Sequence, residues 1–539
     1  MNRHETFEGG LTVIVPIRCS NDRQDAIHRL QFLLQAAPIP PAVQFLVVDD
    51  GSPRQIGKEI EAACDRLGLE YLRLESELET FSIGRARNAG VQRSRTKYVL
   101  FQDVDLLPYP GFYSDVLIEI EVQELHKYAE RFLMFGVIYL TKSGTDEFLS
   151  TPPAVRKSKF VQYLLDADAS RIEKFSTGTS VTVWRRDYFL GAGGNDPEFE
   201  GWGYEDLEFT CRAIRRARRF PLPEEFGLDY KNFQTINEYR GWKSIYRLFG
   251  DITFQKGYVL FHAWHPVEEG GIYVKAKDRN RRLFEEKLER FRLHGEEPDP
   301  LPMPERGRSV IFRANPWVYN RWAAPMLGEI VFADEDMFTP DSFVEYLRER
   351  AIDRVVFHNP YANERMRAIY ERVRSLDIEY IVCERGALPG SVFFDPLGFN
   401  GESGSYDPGK WRRELSQEEV ARLSAYVSHY KVAGDSLEDQ PKRIGAQGLK
   451  RKLGLAPGRK VLFVPLQRPT DSVIEHLCGP IGSYENFLRL IRRLVFCLPP
   501  EWVVVVKRHP LEVENPDLPG FWALRHFVWN PTVTMTPGR

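Results

Sequence analysis

Apolar and polar positions segregate into blocks over the first hundred residues. LTVIVPI, VQFLVVDD, YLRLE and KYVLFQDVD are short, nearly continuous apolar runs. Between them lie DAIHRLQFLLQAA, QIGKEIEAACDRLG and IGRARNAGVQRS, where apolar residues recur at helical spacing. Strands that are apolar throughout need cover on both faces, and crossover helices supply it, so residues 11 to about 105 are predicted to form a parallel α/β sheet. Ligands of such sheets sit at the carboxyl ends of the strands. The polar residues that close the runs, Arg18, Asp49 with Asp50, and Asp103 with Asp105, are therefore expected to converge.

The block pattern returns later in the chain. The stretch HGEEPDPLPMPERGR (294–308) is rich in proline and charge and reads as a linker. Beyond it, SVIFRA, RVVFHN and EYIVCERG alternate with helical stretches. After WRRELSQEEVARLSAYVSHYK, a third rhythm runs from KVLFVPLQ to WVVVVKRHP. At 539 residues the chain exceeds a single core. The predicted organisation is a domain over 1–293, a linker over 294–308, a Rossmann-like α/β domain over 309–440, and the start of a second one over 441–539. That last piece ends about thirty residues after KRHP, short for a doubly wound domain, and reads as truncated.

Composition narrows the function classes. Lys+Arg 73 against Asp+Glu 76 gives a net charge of −3, which offers no general attraction to nucleic acid. Six cysteines are scattered without a C-x-x-C pair, so a cysteine-based zinc site is not expected and a reducing, cytoplasmic setting is. No leader pattern opens the sequence, and its longest apolar runs, such as 503–506, are far short of a bilayer crossing. RAIRRARRF (212–220) and RNRRLFEEKLERF (279–291) suit either a solvated helix face or peripheral contact with the inner face of the cell membrane.

Chemistry enters at the strand ends. In FQDVDL, two carboxylates follow a buried strand where the chain turns, so both can reach one hard cation that keeps open positions for a diphosphate. An isolated D-x-D also fits a solvated loop. VVDDGS can present Asp50 to a nucleotide base, and GRARNAG brings Arg85, Arg87 and Asn88 to a helix start, where guanidinium groups and the helix dipole favour phosphate. In GGNDPEFEGWGYEDLEFTCR, glycines admit a sugar ring, Trp202 offers a stacking face, and the pair Glu205 and Asp206 supplies a general base, with Asp206 the better placed. A plain acidic helix start is the alternative. In YVLFHAWHP, His262 and His265 follow an apolar strand and can complete the cation's ligands; structural histidines are the other reading.

Taken in order, VIVPIR, VVDDGS, GRARNAG, QDVD, GWGYED and HAWH make residues 11 to about 291 resemble a family 2 glycosyltransferase of the GT-A fold, a Rossmann-like, mainly parallel α/β domain. The resemblance implies a UDP-sugar donor and Mn2+ or Mg2+ held by Asp105 with His262 or His265. It also implies nucleotide-sugar contacts from Asp50, Arg87 and Asp103, in a group with Pro16, Arg18, Arg85 and Asn88. Acceptor contacts fall to Trp202 and Gly203, and Asp206 is the base, with Glu205 beside it. GWGYED resembles the acceptor-side motif of galactosyl- and N-acetylgalactosaminyl-transferring relatives and of chondroitin-type polymerases. One departure stands out: Ile17, Arg18 and Cys19 follow the first proline where many relatives carry an aromatic residue and asparagine.

The second half, through ERGALPGSVFFDPLGFNG, VPLQRPTDS and VVVVKRHP, resembles capsule-polysaccharide Kdo transferases, which use CMP-Kdo on a GT-B scaffold. That likeness puts Glu384 and Asp395 near reacting groups and Lys507 and His509 near nucleotide phosphate, with Gln467 a further site residue of the same module; a turn acid and a solvated strand end are the competing readings. The expected function is metal-dependent, inverting transfer from a UDP-sugar to a surface, capsule-type polysaccharide, with an oligosaccharide or lipid-linked glycan as acceptor. A nucleotidyltransferase would need a glycine-rich basic loop after the first strand, and PIRCSND is not one. A non-catalytic glycan-binding scaffold is the other alternative.

Overall fold

The computed structural model describes residues 9–20, 25–76, 80–216, 222–228, 238–266, 272–312, 320–386, 391–433, 445–507, 509 and 527–530. The chain divides into two units, Met1–Arg308 with Tyr319–Ile330, and Ser309–Val318 with Val331–Arg539. The first contains β1 (Leu11–Ile17), β2 (Val43–Asp49), β3 (Glu70–Arg73), β4 (Tyr98–Phe101), β5 (Leu106–Leu107), β6 (Leu133–Leu140), β7 (Ile172–Arg185) and β8 (Val259–His262). They form one sheet in the order β3-β2-β1-β4-β7-β6-β8-β5. β1 pairs in parallel with β2 and β4, and β2 with β3. β7 runs antiparallel to β4 and β6.

The apolar runs are explained by two cores, one on each face of this sheet. Along β1, Leu11, Val13, Val15 and Ile17 enter one core and Ile14 the other. β2 and β4 divide the same way, with Phe45, Val47, Tyr98 and Leu100 on the first face and Leu46, Val48, Val99 and Phe101 on the second. Every second residue faces the opposite layer, so burial on both sides leaves no polar alternation to see. The expected crossover helices occupy Asp25–Ala36, Arg54–Leu67 and Ile83–Arg93. The last lies close on the sheet because Gly90 has no Cβ; one built there would stand 2.6 Å from Ile14 Cγ2.

The turn after β4 explains how a buried strand delivers two acids to the surface. Buried Gln102 donates from Nε2 to the Leu106 carbonyl at 2.8 Å and accepts from the Tyr113 hydroxyl at 3.1 Å. This closes a tight loop over 103–105, reinforced by Leu106 N–H to the Asp103 carbonyl at 3.1 Å. The chain then pairs as β5 with β8, Leu106 opposite His262, and Ala263 N–H bonds the Asp105 carbonyl at 2.9 Å. Backbone pairing therefore brings Asp105 beside the histidine segment.

The proline-rich stretch 294–308 runs along the first unit. Leu301 N–H bonds the Leu190 carbonyl at 2.9 Å, and Arg186 meets Glu305 at 2.6 Å. Glu297 pairs with Arg215 and Arg216, and Arg212 is fully buried against Glu208, so these three basic residues of 212–220 serve internal contacts. Residues 217–220 of that stretch lie outside the described residues. No helix among the described residues is long and apolar enough to cross a membrane.

Among the described residues, the second unit holds two smaller sheets. β9 (Arg308–Phe312), β10 (Glu329–Ala333), β11 (Arg354–Phe357), β12 (Tyr380–Arg385) and β13 (Val392–Asp395) are ordered β10-β9-β11-β12-β13, with β13 antiparallel. β14 (Lys460–Pro465), β15 (Trp502–Lys507) and β16 (Phe527–Asn530) are parallel.

Candidate active site

Three clusters assemble at the carboxyl ends of β1, β2 and β4. In the first, Asp50 is fully buried behind β2. Its Oδ2 accepts the Ser82 N–H at 2.8 Å, and its Oδ1 accepts from Arg85 Nη1 at 3.1 Å. Arg18 Nη1 lies 3.7 Å from Oδ2 and bonds the Thr80 carbonyl at 2.8 Å. Burial raises the pKa of Asp50, against the pull of the Ser82 N–H and the two arginines. Ser82 also caps the helix Ile83–Arg93, fixing Arg85 and Arg87 in its first turns. Pro16 sits in β1 opposite Val48, beyond the last β1–β4 pair at Ile14 and Phe101, where its lack of an N–H breaks no ladder.

The second cluster centres on Arg87, buried under the sheet edge. Its Nη2 donates to Asp103 Oδ1 at 3.1 Å, and its Nη1 lies 3.5 Å from Glu205 Oε1. Burial holds Asp103 above the usual carboxylate range; Arg87 opposes this, while Asp105 and Asp206 add to it. Burial pushes Glu205 up to about 8, with Asp206 adding and Arg87 opposing. Among the described residues its Oε2 has no hydrogen-bond partner. Glu205 is therefore a buried wall of the site whose burial favours the protonated form, and Asp206 stands beside it. Asp206 Oδ1 accepts the Leu207 N–H at 2.8 Å, and its Oδ2 accepts the Thr179 hydroxyl of β7.

In the third cluster, three side chains share one oxygen of Asp105. His265 Nε2 stands 3.0 Å, His262 Nε2 3.5 Å and Arg29 Nη1 3.1 Å from Oδ2. His262 stacks on Tyr139 at 4.5 Å between ring centroids. Burial works to raise the Asp105 carboxyl, yet the hydrogen bond from His265 and the charges of His262 and Arg29 hold it well below its ordinary range. Burial lowers the pKa of His262 and so favours the neutral ring, the form that donates a lone pair, while Asp105 beside it favours the charged form. The candidate ligand atoms of Asp105, His262 and His265 lie within 4.8 Å of one another. One carboxylate and two imidazoles at this spacing fit a divalent cation with positions left open for other oxygen ligands.

The remaining expected residues fall elsewhere in the same region. Asn88 turns inward: its side-chain nitrogen donates to the Asn195 carbonyl at 2.7 Å, and its oxygen accepts the Asn195 N–H at 2.8 Å. It ties the helix Ile83–Arg93 to the loop at Asn195, and those bonds occupy its side chain. Trp202 is 44% exposed, and Gly203 has φ 93°, a left-handed conformation that suits glycine. Arg29, Tyr139 and Thr179 carry no motif in the sequence. The only local hint was FSTGTSVTV, whose small polar residues interrupt an otherwise apolar strand.

In the second unit the named residues divide between the two sheets. Glu384 lies in β12 and accepts the Asn400 N–H at 2.8 Å; burial raises its pKa. Asp395 ends β13 and is held by its own downstream loop. Lys507 stands opposite Pro465, so Gln467 and Lys507 share the carboxyl edge of the other sheet, with His509 just beyond.

Residues 12–290 match the sequence profile described as glycosyltransferase like family 2. Hyaluronan synthase of Pasteurella multocida is 24% identical over 200 residues, 33% of this chain and 20% of that protein, so the match spans about a fifth of the relative's length. Among solved structures, S. aureus TarS (1–349) is 19% identical over 39% of this chain and 56% of its own, with a TM-score of 0.27. Mannosyltransferase PcManGT from Pyrobaculum calidifontis, in complex with GDP-Man and Mn2+, is 13% identical over 69% and 86%, with a TM-score of 0.30.

Proposed function

The chain belongs to glycosyltransferase like family 2, and from that premise we propose that its first unit transfers a sugar from a UDP-sugar to a hydroxyl of a surface, capsule-type polysaccharide, with inversion and with a divalent cation. A relative named hyaluronan synthase supports a polysaccharide acceptor. The observation that carries the reading is the convergence of Asp50 with its arginines, Asp105 with its histidines, and Asp206 on one sheet edge.

Each group has a task that its surroundings suit. Asp50, on the floor of the edge, accepts a base N–H, and Arg18 and Arg85 lie where phosphate oxygens can displace them from its carboxylate. Arg87 stays charged and is fixed between Asp103 and Glu205, so its field points across the donor site. When bound to Asp105, His262 and His265, Mn2+ or Mg2+ supplies charge neutralisation for the departing diphosphate; imidazole ligands favour Mn2+ of the two. Asp206, aimed by the Thr179 hydroxyl, takes the proton of the acceptor hydroxyl as its oxygen forms the bond to the anomeric carbon. The bond from that carbon to the diphosphate oxygen breaks on the opposite side, and its electron pair leaves with UDP. An α-linked donor gives a β-linked product.

Slow hydrolysis of the donor tests this without knowledge of the acceptor. Incubated with UDP-glucose, UDP-galactose, UDP-GlcNAc and UDP-GalNAc, the protein is expected to release UDP from one or two of them with Mn2+ and to stop on chelation. Release from none, or release indifferent to chelation, overturns the reading.

A further inference from the structure

The segment that carries Trp202, Glu205 and Asp206 has an unusual backbone. Gly193, Gly194, Gly201 and Gly203 all have positive φ, and so does Tyr204 at 76°, where a bulky side chain is strained. Such a path persists only where its surroundings impose it. One face of the helix Ile272–His294 supplies the mould.

The face is built from Tyr273, Lys277, Asn280, Phe284 and Lys287, spaced by three or four residues as one helical stripe requires, with Ala276 beside Lys277. The Tyr273 carbonyl accepts the Trp202 N–H at 3.0 Å. Ala276 Cβ lies 2.5 Å from where a Cβ on Gly201 would stand, so only glycine passes there. Lys277 Nζ sits 4.7 Å from the centre of the Trp202 ring. Phe284 packs on Tyr204 at 5.7 Å between ring centroids, and Lys287 pairs with Asp196 at 2.8 Å.

Asn280 is the centre of this contact. It is fully buried, and its side-chain nitrogen faces three carbonyls of the loop: Gly203 at 2.9 Å, Glu200 at 3.0 Å and Trp202 at 3.4 Å. Its side-chain oxygen accepts from Arg279 Nη2 at 3.3 Å. Three acceptors around one group require a donor there, which fixes the orientation of the amide. A buried amide in the middle of a helix costs stability unless it is bonded, and here every bond but that to Arg279 goes to the loop.

We propose that Asn280 is a positioning residue: by holding the carbonyls of Glu200, Trp202 and Gly203 it sets the strained turn that aims Asp206 at the acceptor hydroxyl. This rests on the transferase reading of the same site. The donor contacts at Asp50, Arg85 and Arg87 come from other elements, so loss of Asn280 separates turnover from donor binding.

The decisive variant is Asn280→Asp, which keeps the shape and removes the donor, assayed for UDP and Mn2+ binding, for hydrolysis of the UDP-sugar that the wild type accepts, and for amide exchange. UDP affinity and donor KM are expected to stay within about twofold, while kcat falls about 10- to 100-fold, the scale of a small misplacement of a catalytic group. The Gly201 and Trp202 amides are expected to exchange at least about tenfold faster. Wild-type kcat with loosened amides overturns the proposal, as does a loss of donor affinity equal to the loss of kcat. If Asn280→Asp does not fold, Gly201→Ala disturbs the same seat from the loop side and must reproduce the fall in kcat at constant donor KM. If the wild type hydrolyses no donor, the transferase reading has failed, and unchanged exchange at 201 and 202 then overturns the clamp separately.

Discussion

Asp105 and Asp395 both stand near the end of a strand, a buried one for Asp105 and a half-buried one for Asp395, and both carboxyls are held well below their ordinary range against the effect of burial. Their partners differ. Asp105 Oδ2 is shared by Arg29, His262 and His265, side chains from distant parts of the sequence. Asp395 is bound by its own loop: Leu397 N–H at 2.8 Å, Gly404 N–H at 3.1 Å, Ser405 N–H at 2.9 Å, and the Ser403 and Ser405 hydroxyls at 2.7 Å each. A carboxylate surrounded by local N–H and O–H donors is spent on shaping a turn, whereas one gathered with remote imidazoles has ligand positions to offer. A depressed carboxyl pKa accompanies both, so the source of the partners, and not the shift, tells the two roles apart.

The comparison is broken most decisively at Asp206, in the same edge as Asp105. Asp206→Asn keeps the Thr179 contact and removes the proton acceptor. Donor hydrolysis and transfer are expected to fall about 10³-fold, within the usual range for a general base, with UDP binding and melting temperature unchanged. Activity that survives this change would put the base elsewhere.

At Asp395 the expected loss is of a different kind. Asp395→Ala takes the acceptor from the buried Ser403 hydroxyl, the exposed Ser405 hydroxyl and the Leu397 and Gly404 N–H groups, a cost of about 1 to 3 kcal/mol to the second unit. Denaturant unfolding of the full chain should show that unit melting earlier, with faster amide exchange over 397–405, while the Mn2+-dependent hydrolysis of the first unit stays within about twofold. A variant with wild-type unfolding would free Asp395 for chemistry and restore the parallel with Asp105.

The same distinction explains what was legible in the sequence. β1, β2 and β4 were readable because burial on both faces writes a continuous apolar run, and Asp50 and Asp105 because they end such runs. β7 left no comparable signature: it runs antiparallel to β4 and β6 and mixes small polar residues into its length, whereas β6, LMFGVIYL, is as continuously apolar as β1. Arg29, Thr179 and Asn280 were invisible for a further reason. Their roles come from contacts to residues 76, 27 and 77–80 positions away, and nothing in a local window distinguishes them from an ordinary helix or strand residue. The glycines around Trp202 announced an unusual loop; the helix face that shapes it is set by packing alone.

The smallest expected effect concerns Glu205, which sharpens the contrast with its neighbour Asp206. Burial raises Glu205 to about 8 in the folded protein, against an ordinary value of 4.5. The unfolded chain gives up this proton near 4.5, while the folded chain keeps it. Between those values the unfolded state therefore binds fewer protons, and stability falls as pH rises from about 4.5 until the folded carboxyl also ionises near 8. Glu205→Gln imitates the protonated form and removes that slope. Every tenfold difference in proton affinity between the two states contributes about 1.4 kcal/mol at most, and penetration of water into the cleft lowers this, so the variant should gain on the order of 1 to 2 kcal/mol over wild type between pH 5 and pH 8. Denaturant unfolding across that range in the absence of nucleotide checks it. Equal slopes for the two proteins would mean that Glu205 is ionised at neutral pH and shares with Asp206 the capacity to accept a proton.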